Sequence, residues 1–121
     1  MRTNGFTVVE TMICIAIVAL LLAGVVLSLS YYITKTEELE CRGNIKMLHH
    51  AIMEYSIDCG LKPGDTVTVS NMYPRYWTTI DSGTCPKADM SYGDSFTVGT
   101  VPTCPGNIES HAWDPEEDLG L

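Results

Sequence analysis

Two apolar patterns follow one another in a stretch without helix breakers. From residue 11 to 33 the run TMICIAIVALLLAGVVLSLSYYI holds no charge, no Asn, Gln or His, and no proline. At about 1.5 Å per residue, such a run is longer than the ~30 Å hydrocarbon core of a bilayer. It is too long and too uniform for a buried helix of a small domain, so it predicts a transmembrane helix. Beyond it the pattern becomes periodic. Cys41, Ile45, Leu48, Ile52, Tyr55 and Cys59 recur at alternating steps of four and three, one face of an α-helix. Glu40, Lys46, His50 and Glu54 fall on or near the other side. No proline intervenes before Pro63, and one helix over about 6–58 is predicted, roughly 80 Å long at the standard rise.

Downstream, Gly60 is a C-cap candidate, with Pro63 and Gly64 as breakers. The stretch TVTVS alternates briefly, and Ser70 is placed to cap a short turn through NMYPRYW. DSGTCPKAD reads as a loop. MSYGDSFTVGTV reads as a hairpin: one strand ends near Tyr92, Gly93-Asp94 make the turn, and a second strand runs over 96–101. The remainder is punctuated by proline and glycine and ends in an acidic, solvated tail. A few short strands do not make a core alone, but they do when packed on the helix stripe. The expected class is α+β.

Charge and cysteine usage sharpen this picture. A secretory signal peptide would use an apolar region of about 7–15 residues behind basic residues; here the run is longer, an acid stands at its entrance, and Ala23-Gly24 is a poor cleavage site. Arg2 precedes the run and KTEELE follows it, so the positive-inside rule places the N-terminus in the cytoplasm and the domain outside. The formal net charge of −8 belongs almost wholly to that domain, which argues against direct nucleic-acid binding. Five cysteines suit an oxidising compartment. No CxxC occurs, so neither a thioredoxin-like site nor a paired zinc knuckle is indicated. Cys14, inside the apolar run, reads as a small apolar residue.

Glu10 is the anomaly. A carboxylate at the mouth of an apolar run carries a cost, roughly 2.5–3.5 kcal/mol at a helix centre and less near the interface, that a plain anchor would avoid. The segment GFTVVE, followed by this long apolar helix, closely resembles the type IV prepilin signature: Gly5, then Phe6, with Glu10 the fifth residue of the mature chain. The resemblance implies cleavage by a prepilin peptidase after Gly5, N-methylation of Phe6, and packing of mature chains into a helical filament. It also implies that Glu10 neutralises the new amine of a neighbouring subunit and so sets the axial offset; pairing with its own amine, one turn away, is the alternative. The remainder, from CRGNIKMLHHAIMEY to TCPKADMSYGDSFTVGTVPTCPGNIESHAW, looks like small pilin-like or type II secretion-type proteins. Many pilins carry a proline two-thirds along the membrane helix. Here Leu27 stands there, and a continuous helix is expected. The calcium loop of major type II pseudopilins is not visible.

The expected organisation is therefore type IV pilin-like: a leader over 1–5, a transmembrane and assembly half over 6–33, and an exported domain over 34–121. That domain includes the amphipathic part of the helix, 34–58, packed on a small antiparallel sheet. Cys41 and Cys59 lie roughly 27 Å apart on such a helix and do not pair with each other. Cys85 and Cys104 bracket the hairpin, and their bridge is favoured; separate bridges from Cys41 and Cys59 to the two loop cysteines are the other arrangement. With the local bridge, Cys41 and Cys59 are expected as buried thiols. His49 and His50 point about 100° apart, so they are not a same-face ligand pair, and His49 reads as a packed histidine. His111 with Cys104 makes only two ligands, so no metal and no cofactor is expected. Asp81, Asp89 and Asp94 read as turn formers rather than a calcium site. No GxSxG, supported Cys-His set or glycine-rich phosphate loop occurs, and no enzyme is expected.

The functional expectation is a structural subunit of a type IV pilus-like or type II secretion pseudopilus filament. Its partners are other pilins or pseudopilins, the prepilin peptidase and an inner-membrane assembly platform. It starts as a single-pass protein of the bacterial inner membrane and ends in a periplasmic or cell-surface filament. The alternatives are a non-polymerising bitopic protein whose acidic domain binds a partner, and a membrane-tethered enzyme.

Overall fold

A computed structural model describes residues 5–79 and 82–118. Residues 1–4, which fall in the leader expected over 1–5, Ile80, Asp81 and the last three residues lie outside the described set. The chain divides into two units, Met1–Lys35 and Thr36–Leu121.

One helix, α1, runs over Val8–Cys59, as the uninterrupted pattern predicts. In the first unit its side chains are exposed all round. An 18-residue window there has a mean hydropathy of 3.0 and none of it is buried, so by length and composition it is apolar enough to cross a membrane. Ser30 and Thr34 turn their hydroxyls back onto the carbonyls of Val26 and Ser30, which satisfies both without a water partner.

In the second unit the helix ends where Gly60 takes a left-handed φ of 67°. The Leu61 N–H donates to the Ser56 carbonyl at 2.8 Å and the Gly60 N–H to the Ile57 carbonyl at 3.3 Å. This 6→1 and 5→2 pair is a Schellman cap. Strand β1 (Thr66–Thr68) leads into α2 (Val69–Met72); β2 (Thr84–Cys85), β3 (Met90–Ser91) and β4 (Ser95–Thr97) follow. A 3-10 turn at Glu109–His111 and a helical turn, α3, at Pro115–Asp118 complete the order. Helix α2 begins at Val69, with Thr68 rather than Ser70 at its N-cap position.

The hairpin expected over 90–101 does not form. Strand β3 pairs with β2, matching Thr84 to Ser91 and Cys85 to Met90. Strand β4 pairs antiparallel with β1, matching Thr66 to Thr97, Val67 to Phe96 and Thr68 to Ser95. Among the described residues the result is two two-stranded sheets. The reason lies in the residues expected to make the turn. Tyr92 is buried, its hydroxyl reaching the Cys41 sulfur at 3.1 Å, and Gly93 has a φ of 103°. The chain dips into the core and emerges toward a different partner. The second strand also ends at Thr97, because Gly99 turns the chain at a φ of 88°.

The core is the helix stripe with its cover. Cys41, Ile45, Leu48 and Ile52 are buried together with Val67, Val69, Met72, Cys85, Tyr92, Val98 and Cys104. Tyr55 is half-buried, edge-on to Tyr76 at 5.4 Å. Cys59, the last position of the expected stripe, is exposed. The acidic tail docks instead of standing free. Glu117 pairs with Arg42 at 2.8 Å, and Asp118 pairs with Lys46.

Candidate functional site

At the N-terminal end, local chemistry accounts for the placement of Glu10. Thr7 precedes the first helical residue, Val8, and Glu10 is the third. The Glu10 N–H donates to the Thr7 hydroxyl oxygen at 3.3 Å, and the Glu10 carboxylate accepts from the Thr7 N–H at 3.1 Å. This reciprocal pair is a capping box, which satisfies two of the N–H groups a helix start leaves open. It also puts a carboxylate in the first turn, where the helix dipole favours it. Gly5, Phe6 and Glu10 are all exposed. The peptide bond after Gly5 therefore lies just before the cap, accessible to a second protein.

The second constellation is buried. Cys85 and Cys104, the pair for which a bridge is expected, lie with their sulfurs 3.6 Å apart. All five cysteines are unbonded thiols in the structure. Two further groups join them. The His111 Nδ1 lies 3.5 Å from the Cys85 sulfur and 3.7 Å from the Cys104 sulfur. Cys41 closes the set, and all four donor atoms lie within 4.8 Å of one another. None of the four residues is more than 5% exposed.

Four separate elements deliver these side chains. Cys41 comes from the buried face of α1 and His111 from the 3-10 turn. Cys85 and Cys104 each open a turn of the form Cys-Pro-x-x. In the first, the Asp89 N–H donates to the Cys85 carbonyl at 2.8 Å; in the second, the Asn107 N–H donates to that of Cys104 at 3.0 Å. Asp89 and Asn107 both take a left-handed φ of 50°, which Asp and Asn tolerate best among residues with a side chain. Asp89 is thus a turn former, as expected. The two turns pack directly on one another, since a Cβ on Gly106 would lie 2.8 Å from the Ala88 Cβ.

The environment splits the thiols. Burial pushes Cys41 up to about 12, against the lowering effect of the Tyr92 hydroxyl. Burial acts upward on Cys85 too, but bonds from the Ala88 and Lys87 N–H groups, Cys41 and His111 bring it down to about 7. Tyr92 is raised, by burial first and then by its bond to Cys41. The cluster is thus enclosed within the domain. Three thiols and an imidazole so placed suit ligation or crosslinking.

Sequence inspection pairs His111 with Cys104 and Cys85 with Cys104, but not all of them with Cys41. The legible signal was the repeated Cys-Pro, at 85–86 and 104–105, together with a cysteine on the buried helix stripe. The other histidine with a distinct environment is His49. Its ring sits 5.4 Å from that of Trp113, and its buried Nδ1 has no hydrogen-bond partner among the described residues. Burial and then the neighbouring His50 lower its pKa.

No curated protein and no solved structure matches the chain. The first unit is different: residues 1–26 match the family model described as the prokaryotic N-terminal methylation motif, so the chain carries the prepilin-type signature of type IV pilins and pseudopilins at its N-terminus.

Proposed function

We propose that the protein is a non-catalytic structural subunit of a type IV pilus-like or type II secretion pseudopilus filament. A prepilin peptidase cuts it after Gly5 and its new N-terminal Phe6 is methylated. The observation that carries this reading is the methylation motif over residues 1–26 running without a break into an exposed apolar helix. Before assembly that helix lies in the inner membrane, and the domain over 34–121 stands on its exported side. In the filament, apolar helices of neighbouring subunits replace the lipid, and the acidic domain forms the surface.

Glu10 then serves twice. In the single chain it caps its own helix through Thr7. In the filament its carboxylate pairs with the methylated amine of the adjacent subunit, where scarce water strengthens the attraction. Two variants separate these roles. Thr7→Ala removes the cap partner, costs about 1 kcal/mol of helix-end stability, and leaves filaments able to form. Glu10→Ala keeps membrane insertion and stops incorporation. Normal filaments from Glu10→Ala refute the pairing. The reading as a whole is tested by the N-terminal peptide mass of membrane-extracted protein. A chain starting at methylated Phe6 supports it. An intact Met1 in a host with active prepilin peptidase favours a non-polymerising bitopic protein instead.

A further inference from the structure

We propose that Cys41, Cys85, Cys104 and His111 bind one structural zinc ion that ties the amphipathic part of α1 to both Cys-Pro turns and to the C-terminal 3-10 turn. The set contains three thiols and one imidazole, the Cys3His composition of closed structural zinc sites. With Zn–S about 2.3 Å and Zn–N about 2.0–2.1 Å, a tetrahedron has edges of about 3.8 Å between sulfurs and about 3.5 Å between sulfur and nitrogen. The corresponding separations here are 3.6 Å for the two loop sulfurs, and 3.5 and 3.7 Å from those sulfurs to the His111 Nδ1. Cys41 supplies the remaining corner, within 4.8 Å of the others.

The surroundings suit thiolates. Ala88 and Lys87 direct backbone N–H groups at the Cys85 sulfur, and the Tyr92 hydroxyl donates to the Cys41 sulfur at 3.1 Å. Such outer partners hold ligands in place and soften the charge of a thiolate-rich site. Arg42, next to Cys41, donates from Nε to the carbonyl of Ala112, next to His111, at 2.8 Å. That bond fixes the first and last ligands relative to each other. Binding releases one proton from each of the three thiols. Zn2+ with three thiolates and a neutral imidazole then carries a net charge of −1.

A Cys85–Cys104 disulfide is the rival use of the same atoms. It would leave the Cys41 thiol and the imidazole converging on a bridge that needs neither. The metal accounts for all four groups. It also explains how a domain whose strands are two or three residues long holds its loops in place, because small domains with little regular structure commonly depend on such a crosslink.

The test uses the full chain in detergent, isolated without reductant from zinc-supplemented cells. The expected result is one zinc per chain by elemental analysis, with all five thiols titrating once the protein is unfolded with chelator. Three titrating thiols and a Cys85–Cys104 linked peptide overturn the proposal. The metal-free, reduced chain is then titrated with Co2+. A saturable 1:1 thiolate-to-cobalt charge-transfer band with tetrahedral d–d intensity, displaced by one equivalent of zinc, is expected; no such band overturns the site. Cys41→Ser and His111→Phe should lose the metal, whereas Cys14→Ser and Cys59→Ser should keep it. Full zinc content in Cys41→Ser overturns the four-ligand set. Because ligand loss can also unfold the domain, His111→Cys serves as the positive variant. It should retain zinc and shift the cobalt spectrum toward that of four thiolates, and loss of zinc from it counts against the site.

Discussion

Replacing Gly106 with alanine probes the packing of the two Cys-Pro turns directly. The new Cβ would lie 2.8 Å from the Ala88 Cβ and 3.3 Å from the Ile108 Cδ1. Carbon atoms rest at about 3.5–4.0 Å, so the turns must part by about 0.7 Å or more at Ala88, where no flexible side-chain end can yield. Ile108 can rotate aside; Ala88 cannot. Overpacking of this kind costs typically ~1–3 kcal/mol. Gly106 does not have a left-handed φ, so the lower entropy of the unfolded alanine chain offsets about 0.4–1 kcal/mol of that. The net expectation is a loss of about 1–2 kcal/mol, or about 5–15 °C in Tm for a domain of this size. Both tryptophans, Trp77 and Trp113, lie in the second unit, so thermal unfolding followed by tryptophan fluorescence reports that unit without interference from the apolar helix. The decisive comparison is the double variant Gly106→Ala/Ala88→Gly, which removes the clashing methyl. Its stability should exceed the sum of the single effects by about 1 kcal/mol. Wild-type stability in Gly106→Ala, or additivity in the double variant, refutes the close approach of the turns.

Gly43, inside α1, has nothing within 4 Å of the place a methyl group would take; Gly43→Ala should raise stability by about 0.5–1 kcal/mol in the same assay, and a loss would mean the site is more crowded than described. His49 has its pKa below the usual 6.5, chiefly through burial, so the unfolded chain takes up that proton first. Its contribution is whole above about pH 6.5 and declines as pH falls below it; His49→Phe should flatten this part of the stability profile, and an unchanged acid slope would exclude His49 as the source. Arg42 holds a backbone carbonyl as well as Glu117, whereas the partner of Lys46 among the described residues is an exposed carboxylate. Arg42→Ala should therefore cost about 1–2 kcal/mol and Lys46→Ala about 0.5 kcal/mol or less; the reverse order in Tm would refute the reading of the docked tail.

The helix was legible because its signals are local. An unbroken run to Ile33, a three-four stripe from Cys41 and a glycine at the Schellman position each depend on residues within a turn or two of one another. The prepilin-type signature is legible for the same reason. The strands were legible as segments but not as partners. Alternation around Met90–Ser91 and Phe96 suggests a hairpin, yet between them Tyr92 is buried with its hydroxyl at Cys41 and Gly93 turns the chain at a φ of 103°. The Cys-His cluster is the extreme case. Its members are spread from residue 41 to residue 111, and only the fold of the loops over α1 makes them neighbours.

That spread has a consequence in time. Cys41, Ile45 and Leu48 are synthesised early, but the last element that closes over Cys41 carries His111. At about 5–20 residues per second, some 4–14 seconds separate the two ends of this set. Val67, Met72, Cys85, Tyr92 and Cys104 arrive within that interval, but the cover over Cys41 stays incomplete until the 3-10 turn follows. The head of the stripe, the first part of the core to be made, is thus the last to be sealed.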